Sequence, residues 1–151
     1  MSLHIIPLNR SFSEVSKDSV GIDDDASASS RYYSGSTKWD DLEKKYRVVI
    51  LADAGAGKTI EMKSRADSIH QSGRLAFFVC IEDLVDNDFY LGLEVGTADE
   101  FDTWLTSTGE AWFFLDSVDE ARLTAPNAFD KAIKRFASVI KNCTHRAHVY
   151  I

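Results

Sequence analysis

The eight residues Ala52-Asp53-Ala54-Gly55-Ala56-Gly57-Lys58-Thr59 carry the side chains and the spacing that polyphosphate binding needs. They fit the phosphate-binding loop pattern G-x-x-x-x-G-K-[ST], with Ala52 in place of the first Gly. Gly55 and Gly57 permit backbone conformations closed to other residues, so successive N–H groups can turn inward toward an anion. A helix opening near Lys58 adds its positive end at the same spot. Lys58 would bridge the β- and γ-phosphates, the Thr59 hydroxyl would hold Mg²⁺, and the lining runs on to Ile60. Ala52 sits at a strand end, where a methyl group is tolerated. Asp53 reads equally well as a solvated loop acid.

A second set follows in Phe113-Phe114-Leu115-Asp116-Ser117-Val118-Asp119-Glu120. An apolar strand ending in Asp supplies a carboxylate at the C-terminal edge of a parallel sheet, facing the same crevice as the phosphate loop. Asp116 would hold Mg²⁺, through water. Ser117 stands where many such hydrolases carry the Glu that polarises the attacking water. The nearest acids are Asp119 and Glu120, and either reaches the γ-phosphate side if the chain turns sharply after the strand.

These groups need a rigid scaffold, and the pattern from Thr37 onward provides one. Thr37 caps a short helix with Trp39, Leu42 and Tyr46 on one side. Arg47 to Leu51 is a β-branched apolar run, as in a strand buried on both faces. The helix after the turn spaces Met62, Ala66 and Ile69 at helical intervals and stops at Gly73. Leu75 to Ile81 is a second buried strand, and residues 83 to 96 read as irregular. Thr97-x-x-Glu100 forms a capping box ahead of Phe101, Trp104 and Leu105, and Gly109 ends that helix. Ala111 to Leu115 is a third strand. After Pro126 a helix carries Phe129, Ala132, Ile133, Phe136, Ala137 and Ile140 as an apolar stripe. His148 to Ile151 is a fourth strand. The alternation β-α-β-α-β-α-β predicts an α/β fold of three layers, a parallel β-sheet flanked by helices, with right-handed crossovers.

Residues 1–37 form a separate N-terminal segment. His4 to Leu8 suits a short edge strand, demoted by Pro7, and residues 11 to 37 are a Ser-rich flexible stretch. Residues 38–151 form the core. Ending on a core strand suggests an incomplete module, truncated after the fourth core strand.

Composition narrows the classes further. The chain has 151 residues, a formal net charge of −7 and 44% hydrophobic residues. That supports one cored domain and argues against a protein that coats nucleic acid or anionic membrane. No apolar run approaches the roughly 20 residues of a membrane span. Cys80 reads as core and Cys143 as a helix-end thiol, with no disulfide framework, which fits a reducing, cytoplasmic setting. His4, His70, His145 and His148 show no metal-ligand spacing. Trp39, Trp104 and Trp112 read as core rather than base-stacking residues, and no nucleic-acid motif is visible. Arg122 reads as a surface residue, and Lys131, Lys134, Arg135 and Lys141 as a solvated basic face.

The phrases ADAGAGKT and FFLDSVDEAR together resemble the NACHT-type NTPases, within the signal-transducing P-loop ATPases. The small Ser117 after Asp116, then the acidic pair Asp119 and Glu120, match that family's second motif. The resemblance covers about Trp39 to Ile151 and is closest to bacterial members found in anti-phage or sensor proteins. It implies a P-loop NTPase fold with the fourth strand inserted between the first and third. It implies ATP and Mg²⁺ as cofactors, slow hydrolysis with Lys58, Asp119 and Glu120 as catalytic residues, and a nucleotide-driven switch. It also implies self-association and attached effector and sensor domains. Asp53 matches an acidic residue found at this place in some relatives. The family's polar sensor, fifth strand and helical lid would fall after Ile151. Two other readings compete: a nucleotide-holding scaffold without turnover, and a small-molecule kinase, which also uses a phosphate loop.

Overall fold

The computed structural model describes residues 11–13, 36–53, 55–86, 89–116 and 127–151. Two compact units divide after Lys44: Met1–Lys44 and Lys45–Ile151.

In the first unit, Phe12 and Thr37 form an antiparallel bridge, and the Phe12 ring meets Trp39 edge-on at 4.9 Å. Helix α1 (Trp39–Leu42) is one turn long, and Lys38, not Thr37, occupies its N-cap. Thr37 is instead committed to the bridge, where its backbone N–H and C=O both pair with Phe12. Tyr46, expected on the face of Trp39 and Leu42, lies beyond the end of this helix. The expected strand over His4–Leu8 lies outside the described residues.

The second unit is an α/β sheet structure. Its elements run β1 (Arg47–Val48), α2 (Lys58–Gln71), β2 (Leu75–Cys80), α3 (Ile81–Asp86), β3 (Leu93–Val95), α4 (Ala98–Thr106), β4 (Ala111–Asp116), α5 (Ala128–Val139) and β5 (Ala147–Tyr150). The sheet order is β1-β5-β4-β2-β3. The pairs β1–β5, β5–β4 and β4–β2 are parallel. The last strand is thus inserted between the first strand and β4, the order the family resemblance implied.

One strand of this sheet and one helix beside it were not expected. The stretch read as irregular, 83 to 96, contains β3, which pairs antiparallel with β2. Ile81 opens α3 rather than ending β2. Both were hidden because three residues of strand and six of helix are too short to establish a period. Strand β1 is also shorter than its apolar run. Beyond Val48 the edge continues only as single bonds such as Ile50 N–H to Ile151 O at 2.7 Å, and Val49 and Leu51 are exposed.

Alternation along the strands divides the side chains between two faces. Phe77, Val79, Phe113, Leu115, Ala147 and Val149 join the main core with Phe101 and Trp104 of α4 and with Ala132, Phe136 and Ile140 near α5. Phe77 stacks on Phe113 at 5.1 Å, and Trp104 meets Phe113 at 5.1 Å. Burying each such ring contributes about 1.5–3 kcal/mol. Of the stripe expected on α5, Phe129 and Ala137 face outward, while Ala128 takes a buried place. The opposite face carries Ala76, Phe78, Cys80, Trp112, Phe114, Asp116, His148 and Tyr150. Helix α2 lies against β2 and β4 on that side, with the Lys63 ammonium 5.9 Å from the Phe78 ring centre. Helices therefore cover both faces of the sheet. Trp104 and Trp112 are buried, as expected of core residues. Among the described residues no helix is long and apolar enough to cross a membrane.

Candidate functional site

The turn between β1 and α2 takes the shape its glycines permit. Gly55 has φ +77° and Gly57 φ +82°. Both values belong to the left-handed region, where a side chain costs about 1–2 kcal/mol. A Cβ on Gly55 would meet nothing within 4 Å, so backbone conformation, not crowding, demands glycine there. The turn is closed by Ala56 N–H to Asp53 O at 3.0 Å. Ala52 is not among the residues of positive φ, so its methyl group carries no left-handed strain. Ala52 and Asp53 are exposed, and Ala54 lies outside the described residues.

Gly57 is the N-cap of α2, and no side chain caps the helix. Gly57 therefore offers the first N–H groups of α2 no side-chain acceptor, at the end where the helix dipole is positive. Lys58 and Thr59 in the first turn are half-buried, and Ile60 is 62% exposed. Helix α2 is held by Met62, Ala66 and Ile69, all buried, so its first turn is fixed relative to the sheet.

Across from this turn, β4 ends in Asp116. Its side chain is fully buried, and neither carboxylate oxygen has a hydrogen-bond partner among the described residues. Lys58 Nζ stands 3.9 Å from Asp116 Oδ1. A buried carboxylate without hydrogen bonds is costly unless a cation or ordered water completes it. The strand holds it in place, because all six residues of β4 are buried and each pairs in register with β2. The two sequence motifs, 58 positions and 116 positions into the chain, thus meet at one point.

The same edge of the sheet holds a group that the sequence reading assigned only to the core. Cys80 pairs with Asp116 in register, so both point to the face that α2 covers. The Cys80 thiol donates to Glu82 Oε2 at 2.6 Å. Burial, then the hydrogen bond and charge of Glu82, push the Cys80 thiol up to about 12. One signal was available in the sequence: Val79-Cys80-Ile81-Glu82 repeats the design of an apolar strand followed by an acid seen at Leu115-Asp116.

Asp119, Glu120, Ser117 and Arg122 lie outside the described residues. Among those described, no group of three or more His, Cys, Asp or Glu side chains is placed to hold a metal ion. Of the described residues, Asp116 and the Thr59 hydroxyl could serve a cation here, beside phosphate and water oxygens. That donor set suits Mg²⁺, which keeps several waters and binds through one or two carboxylates. The uncompensated oxygens of Asp116 fit it.

The remaining candidates have structural partners. His148 Nδ1 meets Lys45 O at 3.1 Å, and its ring is stacked between Tyr46 and Trp112. His70 pairs with Glu100. Arg135 donates to the carbonyls of Leu84 and Val85, and Lys134 pairs with Asp130. Cys143 is buried and receives a hydrogen bond from the Arg146 guanidinium at 2.9 Å.

No family model, no curated protein and no solved structure matches the chain.

Proposed function

We propose that this chain is a P-loop NTPase domain of NACHT type that binds ATP with Mg²⁺ and hydrolyses it, acting as a nucleotide-dependent switch in a larger signalling or defence protein. The observation that carries this reading is the meeting of Lys58 and Asp116 at 3.9 Å, with both Asp116 oxygens buried and, among the described residues, without hydrogen bonds. A glycine turn, a lysine opening a helix and a strand-end aspartate are the parts that phosphoryl transfer to water uses.

The residues divide the work. The N–H groups from Gly55 to Thr59 face the phosphate chain, and the positive end of α2 favours its charge. Lys58 releases Asp116 and takes up the β- and γ-phosphate oxygens, stabilising charge on the transferring group. The Thr59 hydroxyl and Asp116 would hold Mg²⁺, which would supply positive charge against the phosphate oxygens. Asp119 or Glu120, as the motif suggests, orients the attacking water. The useful output is the difference between nucleotide states, which biases self-association or the attached effector and sensor domains.

The experiment is titration calorimetry of the chain with Mg²⁺-ATP, wild type beside Lys58→Ala, with phosphate release measured in parallel. Binding that Lys58→Ala abolishes supports the site, and a folded wild type that binds no nucleotide overturns it. The absence of an acid directly after Asp116, where Ser117 stands, favours one second reading: a nucleotide-holding scaffold. Binding without phosphate release would identify it. Phosphorylation of small acceptors would instead indicate a kinase.

A further inference from the structure

Beside Asp116, one strand over, stands Cys80, whose thiol is hydrogen-bonded to a second carboxylate, that of Glu82 at the start of α3. Strands β2 and β4 run parallel and in register along their whole length, from Leu75 against Ala111 to Cys80 against Asp116. They end at the same level. In a pleated sheet, paired residues of neighbouring strands project to the same face, about 5 Å apart. The Cys80 thiol and the Asp116 carboxylate therefore stand side by side under the N-terminal end of α2, where Lys58 approaches.

Glu82 comes two residues after Cys80 and folds back to it. Its Oε2 accepts the thiol proton at 2.6 Å. At that distance the thiol is the donor and the carboxylate oxygen the acceptor. The bond ties one oxygen of Glu82 to the end of a rigid strand. Asp116 supplies the independent sign of a missing ligand, being fully buried with neither oxygen hydrogen-bonded among the described residues. The edge of the sheet thus offers two carboxylates in different surroundings: one deep against a lysine, one half-buried and oriented by a neutral donor. Separation of roles follows from separation of environments. The deep acid suits a metal ion, and the outer one suits a water molecule.

We propose that Glu82, in place of the Asp119 or Glu120 that the motif suggests, is the carboxylate that orients and finally deprotonates the attacking water, with Cys80 as its positioning residue. This rests on the nucleoside triphosphate reading of the site. In the step, the water oxygen forms a bond to the γ-phosphorus. The bond from that phosphorus to the β,γ-bridging oxygen breaks, and its electron pair leaves on the diphosphate. The water proton passes to Glu82 and from there to solvent, so the carboxylate is restored.

The test compares wild type, Glu82→Gln, Glu82→Asp, Cys80→Ala, Cys80→Ser and Glu120→Gln in the full chain. Each is assayed for Mg²⁺-ATP binding by calorimetry, for phosphate release and for thermal unfolding. Glu82→Gln is expected to keep its affinity and lose about 100-fold or more in kcat, the usual loss when an acid–base group is removed. Glu82→Asp keeps a carboxylate on a shorter arm and falls between. Cys80→Ala is expected to lower kcat about tenfold with KM unchanged, and Cys80→Ser, which restores a donor, to recover most of it. A merely structural role for Cys80 would not split kcat from KM or respond to Ser in this way. Wild-type kcat in folded Glu82→Gln overturns the proposal, as does loss of turnover in Glu120→Gln alone. Wild type that binds nucleotide but releases no phosphate also overturns it, and leaves the nucleotide site standing. Wild type that binds no nucleotide overturns the reading beneath it.

Discussion

Asp116→Asn separates a residue kept for a ligand from one kept for the fold. The change removes one charge, preserves shape and acts at a side chain with no solvent exposure. In the unliganded protein, the attraction lost is that of Lys58 at 3.9 Å, about 4 kcal/mol at an effective dielectric of about 20. Against it stands the burial cost of the carboxylate, several kcal/mol, which no hydrogen bond from the described residues offsets. The Asn amide has its own burial cost of about 1–3 kcal/mol when unpaired. These terms nearly cancel, so unliganded stability is expected to change by less than about 2 kcal/mol in either direction, or a few degrees in Tm for a chain of this size. Lys58 tolerates the loss because its side chain is 24% exposed and can turn to water. Affinity for Mg²⁺-ATP is expected to fall at least tenfold. Urea denaturation without metal or nucleotide, paired with calorimetric titration, reads both quantities. A destabilisation above about 3 kcal/mol would refute the reasoning, since that is the usual cost of breaking a buried pair that serves the fold.

Three further outcomes are expected. Gly96→Ala, after β3, forces a Cβ into φ +79° with the Phe77 ring 2.4 Å away; strain and overpacking together predict a loss of about 2–4 kcal/mol in chemical denaturation. Arg146→Lys removes a buried guanidinium that donates to Leu105 O and Gly109 O and lies 4.5 Å over Trp104; a loss of about 2–4 kcal/mol is expected, with Tm the measurement. Burial tends to raise the Glu100 carboxyl, but hydrogen bonds from Thr97 and His70 outweigh it and hold the group below its ordinary 4.5. Its folded value being depressed, its contribution is present above 4.5 and is lost as pH falls through the folded value. The stability gap between wild type and Glu100→Gln, followed by denaturation from pH 7 downward, should therefore shrink in acid.

What the sequence determined is what short-range physics controls. Gly55 and Gly57 were expected at positive φ because the motif needs it, and both have it. Thr97 and Glu100 were expected to form a capping box, and both its bonds are present, at 3.2 and 2.8 Å. The strands at β2 and β4 were legible because apolar residues on both sides of a run leave few other solutions. The tertiary structure alone decided which strands adjoin. No local pattern states that Cys80 lies beside Asp116, or that Lys58 crosses to it, because those contacts join residues far apart in the chain. It also decided that Thr37 bridges to Phe12 rather than capping α1, and that three residues at Leu93 complete the sheet. A three-residue strand has no period of its own, and it exists because the edge of β2 offers hydrogen bonds that would otherwise go unpaired.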